Sequence, residues 1–207
     1  VENAVKISNV LNIPILYIST AGIFDGKIDE YDDWAEPNPI NHYGRSKYLA
    51  EKYVYNYSKK HLILRAGWMM GGGINKDKKF VGKIIQQIKN KKKILNIVDD
   101  KYGTPTYTID FAKNSKLILE KKLWGVYNLV CDETTSRIAV AKKILEILCL
   151  EDKIKINKVK SSFFKDTYFA PRPFSEKLIS KKLKLRNLYI MRSWQVCLDE
   201  YIRNNFI

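Results

Sequence analysis

Thr20, Tyr43 and Lys47 are the residues whose types and spacing could do chemistry together. Thr20 closes a short apolar run, Ile15-Leu16-Tyr17-Ile18, that ends in two hydroxyls, Ser19 and Thr20. Tyr43 and Lys47 are four residues apart, one turn of a helix, and so share a face. A free phenol titrates near 10, too high for easy proton exchange at neutrality. An ammonium one turn away favours the phenolate and brings that value down. Such a tyrosine can give a proton to a carbonyl oxygen, a general-acid contribution of about 10²- to 10⁴-fold. The Thr20 hydroxyl can hydrogen-bond the same oxygen and hold it. Reduction also needs a hydride, which no side chain supplies, so the pattern implies a cofactor.

Spacing alone does not select this pair. With 13 Tyr and 30 Lys in 207 positions, chance gives about two Tyr-x-x-x-Lys matches. The sequence has three: Tyr43/Lys47, Tyr48/Lys52 and Tyr55/Lys59, all in one expected helix. Position separates them. Tyr43 stands at the helix start, after a loop from the strand that ends in Ser19-Thr20. Both can therefore meet at the carboxyl edge of a sheet, where doubly wound folds bind ligands. Tyr48 points about 140° away around the helix, and Tyr55 lies three turns down. Those two are expected to pack or to face solvent.

The elements that position these residues follow from local signals. Residues 1–12 predict the end of an amphipathic helix, with Val1, Val5, Val10 and Leu11 as core contacts and Pro14 as its stop. A chain starting on Val inside such a helix is expected to lack a preceding part. Residues 15–19 predict a strand. The loop 25–42 carries Asp29, Glu30, Asp32, Asp33 and Glu36, then Pro37 and Pro39; it is expected to be too polar for the core and, at that length, functional. Asn41 is the expected cap of a helix over 43–59, and 61–65 the next strand. Strand, helix, strand is a crossover, so the sheet should be parallel. AGWMMGGG, after Arg65, reads as a loop. A helix over 79–90 with Phe80, Ile84, Ile85 and Ile88 on one side, and a strand over 94–98, follow. DDKYGTPTYT reads as turn-rich. Beyond it are expected a helix over 108–121, a strand over 126–130, a helix from Ser136 to about 149, a strand over 153–157, a tail loop and a final helix over 192–204.

Composition bounds the class. At 207 residues and 45% hydrophobic, the chain can build one well-packed domain with a small lobe. Residues 1–14 lack the basic start and apolar core of a signal peptide, and no apolar run reaches the roughly 20 residues of a membrane span. Three scattered cysteines fit neither a metal spacing nor a disulfide framework; they read as ordinary core thiols of a reducing cytoplasm. The net charge of +15 invites a nucleic-acid reading. Thirty of the 37 basic residues are Lys, spread along the chain with short clusters at 91–93 and 181–182. Base-edge and phosphate-fork readers favour Arg, so no nucleic acid and no membrane are expected as partners. A basic surface would still attract an anionic nucleotide sugar.

Taken together, STAGIFDG, EPNPINHYGRSKYLAE, LRAGWMMGGG, VDDKYGTPTYTIDFA, GVYNLV and APRPFSEKLISKKL resemble the dTDP-4-dehydrorhamnose reductase family of extended short-chain dehydrogenases. The segments occur in family order and cover nearly the whole chain. The resemblance implies an α/β, Rossmann-like parallel sheet, here the C-terminal portion of one NAD(P)-binding domain over 1–207. A small substrate lobe is implied from about 66–107 and 151–190. It implies NADPH- or NADH-dependent reduction of the 4-keto group of a dTDP-linked 6-deoxy sugar. Thr20, Tyr43 and Lys47 would be catalytic, with Tyr43, Lys47 and Gly67 facing the cofactor and Lys47 holding the nicotinamide ribose. Thr20, Trp68 and Arg172 would face the substrate. A homodimer stays open. Two departures stand out. Ala21-Gly22 replace the acidic and aromatic pair that usually follows the Ser-Thr. None of the ten glycines forms G-x-G-x-x-G, so the dinucleotide loop is expected to be absent and the chain alone inactive. The alternatives are a non-catalytic binding subunit of the same fold, or a sugar-nucleotide epimerase or dehydratase.

Overall fold

Helix α1 (Glu2–Val10) ends where Asn12 takes a left-handed conformation (φ 53°) and Pro14 follows, and the chain extends into strand β1 (Ile15–Thr20). The computed structural model describes residues 1–167 and 170–207. Tyr168 and Phe169, in the expected tail loop, and the side chain of Ile74 lie outside the described residues. Of the four core contacts expected from α1, only Val5 is buried. Val1, Val10 and Leu11 are exposed, Val10 by 83%. The helix meets α2 (His42–Tyr57) and β1 along one narrow face through Val5, and among the described residues no element covers the rest of its apolar stripe.

Asn41 caps α2 as expected, its side-chain oxygen accepting the Gly44 N–H at 2.8 Å. The chain returns through β2 (His61–Ala66), parallel to β1, with Ile15 opposite His61 and Thr20 opposite Ala66. β2 is the central strand and alternates as a pleat requires. Leu62 and Leu64 face the main core, while Ile63 packs on Val5 and Val54 beneath α1 and α2. All three are fully buried, each worth about 1.5–3 kcal/mol.

Then follow β3 (Trp68–Met70), α3 (Gly73–Lys76), α4 (Phe80–Lys89), β4 (Ile94–Val98), β5 (Tyr102–Gly103), β6 (Pro105–Tyr107) and α5 (Thr108–Glu120). After them come β7 (Gly125–Asn128), β8 (Thr135–Ser136), α6 (Arg137–Ile147), β9 (Lys155–Val159), β10 (Ser175–Glu176), α7 (Lys181–Leu185) and α8 (Trp194–Phe206). β7 joins β2 in parallel, giving the order β1-β2-β7. Small sheets pair β3 with β6, β4 with β9, and β5 with both β10 and β8. The stretches expected as loops after Arg65 and after Val98 thus contain β3, β5 and β6. Strands of two or three residues leave no period to detect. The strand expected over 153–157 lies two residues later, where its pairing with β4 sets it. The main core gathers Ile84, Ile85, Ile144, Leu198 and Tyr201 from α4, α6 and α8, with Phe80 and Ile88 packed at its edge. Cys131 and Cys197 are core thiols, but Cys149 is exposed in the left-handed turn after α6.

The acidic loop before α2 is not all solvent-facing. Tyr31 and Asp33 are buried. Asp33 accepts the backbone N–H of Asn128 at 2.7 Å and of Lys182 at 2.9 Å. Tyr31 exchanges backbone hydrogen bonds with Lys177 and Ile179. A carboxylate that takes two backbone donors can be buried, and polarity alone did not reveal this. Beneath the loop lies an ion pair between Arg65 and Glu51, each about 5% exposed, with Arg65 Nε donating to Glu51 Oε1 at 3.0 Å. Arg65→Met strands a buried carboxylate and should cost about 3–5 kcal/mol in chemical denaturation. Adding Glu51→Leu should return most of that loss. A single variant as stable as the parent would show the pair to be dispensable.

Candidate active site

The carboxyl ends of β1, β2 and β7 share one edge, with Thr20 beside Ala66 and Arg65 beside Asn128. Directly after β1, residues Ala21–Ile23 form a 3₁₀ turn, which Thr20 caps by accepting the Gly22 N–H at 3.2 Å. The Thr20 hydroxyl keeps its own proton for another acceptor. Tyr43 sits in the first turn of α2 and is 62% exposed. A methyl carbon placed on Gly22 would lie 3.6 Å from Thr20 Oγ1 and 3.6 Å from Tyr43 Cε1. Hydroxyl and phenol ring therefore flank one point above the sheet edge.

Gly44 makes this approach possible. A Cβ at position 44 would overlap the Gly22 carbonyl oxygen, so the helix can seat against the turn only with glycine there. Sequence reasoning passed over this residue. Its signal was available: glycine early in a helix costs about 1 kcal/mol against alanine and asks for a packing reason.

Lys47 donates to the Ile18 carbonyl at 2.6 Å and lies 4.4 Å from the centroid of the Tyr17 ring. Burial lowers its pKa, with Glu51 acting the other way. Among the described contacts the ammonium is thus held on the strand end rather than on the Tyr43 phenol. Tyr17 donates to the Lys47 carbonyl at 3.3 Å. Burial, with smaller contributions from Glu51 and Tyr43, pushes Tyr17 up to about 12, which keeps it protonated. Ser19 is buried, and its hydroxyl has no partner among the described residues. Tyr48 packs against Ala21, Ile23 and Phe24, and Tyr55 is exposed beside the His61 ring.

The other expected positions fall a little way off. The Gly67 N–H donates to Thr106 Oγ1 at 2.9 Å, and its Cα packs tightly on the Thr104 carbonyl. Trp68 donates its indole N–H to Glu176 at 2.8 Å. Arg172 is exposed in the segment that links α2 to β5. There Asn41 Nδ2 donates to the Pro171 carbonyl at 2.8 Å, and Lys101 to the Arg172 carbonyl at 2.9 Å. A nicotinamide and its ribose fit the partly buried Lys47 ammonium, the orphaned Ser19 hydroxyl and the exposed Tyr43 phenol. Gly71, Gly72 and Gly73 turn the chain into the four-residue α3, with Gly71 against Thr108 and Gly73 against Asn205. No group of three metal-ligating side chains occurs among the described residues.

The family model described as the RmlD substrate binding domain matches residues 1–206. The chain belongs to this family. Its expected membership and α/β fold with parallel strands both hold. The RmlD-family chain is 33% identical over 159 residues to the dTDP-4-dehydrorhamnose reductase of Aggregatibacter actinomycetemcomitans, covering 69% of this chain and 53% of that protein. It spans about half the length of the curated relatives it matches. The dTDP-4-dehydrorhamnose reductase structure from Yersinia enterocolitica superposes with a TM-score of 0.90 at 34% identity, covering 98% of this chain and 70% of that one. The Bacillus anthracis reductase, solved in complex with NADP, gives 0.89 at 27% identity over the same shares.

Two substitutions separate the tight approach from the loose one. Gly44→Ala should cost about 2–3 kcal/mol through backbone displacement and lower Tm by several degrees. Gly22→Ala, at ordinary van der Waals distance, should leave Tm nearly unchanged. Equal melting of the two variants would contradict the assigned contact.

Proposed function

We propose that the intact protein reduces the 4-keto group of a dTDP-linked 6-deoxy sugar, dTDP-4-dehydrorhamnose to dTDP-L-rhamnose, and that this chain carries its proton-donor and substrate-facing half. The observation that carries the reading is Thr20 and Tyr43 flanking one point at the carboxyl edge of the sheet. Names of relatives that act on this sugar, over the aligned half, support it.

The carbonyl oxygen would sit between the Thr20 hydroxyl and the Tyr43 phenol. Thr20 donates a hydrogen bond to it, which its capping arrangement leaves free to form. Tyr43 gives the phenolic proton to the same oxygen as the carbon is reduced, leaving an alcohol. A bound nicotinamide, NADPH or NADH, supplies the hydride. Lys47, held on the Ile18 carbonyl at the strand end, would orient the nicotinamide ribose. Gly67 lies on the cofactor side, and Trp68 and Arg172 on the substrate side. The substrate lobe is drawn mainly from 66–107 and 151–190. We further infer a cytoplasmic enzyme whose partner is a dTDP-sugar rather than nucleic acid or membrane. No helix among the described residues is long and apolar enough to cross a membrane.

A second reading, a non-catalytic binding subunit, draws on Ala21 and Gly22, which put no acidic or aromatic side chain beside Tyr43. NADPH oxidation by the intact protein with dTDP-4-dehydrorhamnose decides between them. The reductase reading expects turnover that Tyr43→Phe lowers at least 10²-fold, with a smaller kcat loss in Thr20→Val. An intact, folded protein that binds the sugar nucleotide but oxidises no NADPH would establish the second reading instead.

A further inference from the structure

Arg137 carries a half-buried charge that no other described residue pairs with. It opens α6, where Ser136 caps by accepting the Ala139 N–H at 3.1 Å. Its guanidinium carbon lies 3.6 Å from the Trp68 ring centroid and 4.5 Å from that of Phe80. The two rings cover the flat group, and the residue stays partly exposed. Among the described residues, none accepts a hydrogen bond from this guanidinium or forms an ion pair with it. Glu176, the carboxylate whose charge reaches it, accepts the Trp68 indole N–H at 2.8 Å. A second cation, Arg172, also reaches it.

The shelf beneath the guanidinium is rigid. β10, β5 and β8 set Glu176 beside Gly103 and Gly103 beside Thr135. A Cβ on Gly103 would overlap Trp68 Cε2, so the indole is seated on bare backbone and pinned by Glu176. Lys101, whose carbonyl accepts the Arg137 N–H at 3.3 Å, sends its ammonium to the Arg172 and Pro173 carbonyls. The same segment is tied through Pro171 to Asn41, the cap of the helix that bears Tyr43. Lys101, Arg137 and Arg172 therefore form a cationic strip that runs from the small sheet toward the catalytic helix.

Covering a charge without pairing it is unfavourable. Burial lowers the Arg137 pKa to about 10, with Glu176 opposing and Arg172 adding to the fall, so the group remains a cation at neutrality. A guanidinium held flat by aromatic rings presents its N–H edge as a fork, the geometry that suits two phosphate oxygens. We propose that Arg137 binds the diphosphate of the nucleotide-sugar substrate, with Trp68 and Phe80 as the platform that orients it. This deepens the reductase reading and rests on it. It also gives Trp68 a supporting task beneath the cation.

Calorimetric titration of the chain with dTDP and with thymidine tests the assignment. The parent should bind dTDP at least 10-fold more tightly than thymidine, and added salt should shrink that ratio. Arg137→Gln should bring the ratio near one and leave thymidine binding unchanged. Arg137→Lys keeps the charge but not the fork and should lose several-fold for dTDP alone. Should the Gln variant fail to fold, the Lys variant and the salt series on the parent carry the test. Parent-like ratios in a folded variant would overturn the role of Arg137 while leaving the reductase reading intact. A folded parent that binds neither ligand would overturn the sugar-nucleotide reading itself, and this proposal with it.

Discussion

Helix α2 can come only as close to the end of β1 as position 44 permits. With glycine there, the helix backbone rests on the Gly22 carbonyl and the Tyr43 ring reaches the neighbourhood of the Thr20 hydroxyl. Two capping bonds fix the angle of approach. Asn41 takes the Gly44 N–H, and Thr20 takes the Gly22 N–H. Each cap is worth about 1 kcal/mol, and each belongs to a residue next to the proposed chemistry. Stability and site geometry thus draw on the same few atoms.

Beneath this contact the chain invests in buried polar groups. Arg65 ties β2 to Glu51 of α2, one turn beyond Lys47. Asp33 ties the loop to β7 and α7 through two backbone donors, and burial raises its pKa above the usual carboxylate range. Asn128 donates from its side chain to the Tyr31 and Ile179 carbonyls. These bonds reach residues far apart in sequence, so they close the loop over the sheet edge at the cost of desolvating charge. Such groups favour one arrangement more than they add stability.

Much of this was legible in the residues themselves. The apolar run before Ser19-Thr20, the Asn41 and Ser136 caps and the parallel crossover all come from local signals, and all stand in the fold. What stayed hidden depends on contacts across the chain. Val10 and Leu11 look like core residues by spacing, yet both are exposed. Asp33 looks like a surface acid until its donors from Asn128 and Lys182 are seen. The strands around Gly103 and Glu176 are too short to show a period. Arg137, one arginine at the start of a helix, shows nothing unusual until Trp68 and Phe80 close on it.

The proposed reaction divides between two parts. In the proposed reaction this chain's residues would provide the proton donor, the carbonyl clamp and cationic ground for a nucleotide diphosphate, while among the described residues Gly44, Gly67 and Gly103 serve close packing and Gly71, Gly72 and Gly73 a turn. Titration of the 207-residue chain with NADPH tests that division most directly. No saturation is expected below about millimolar concentration, because Lys47 and its neighbours would meet only the nicotinamide end and a few hydrogen bonds give little affinity. Saturable binding in the micromolar range would contradict it and place a phosphate cradle within these residues.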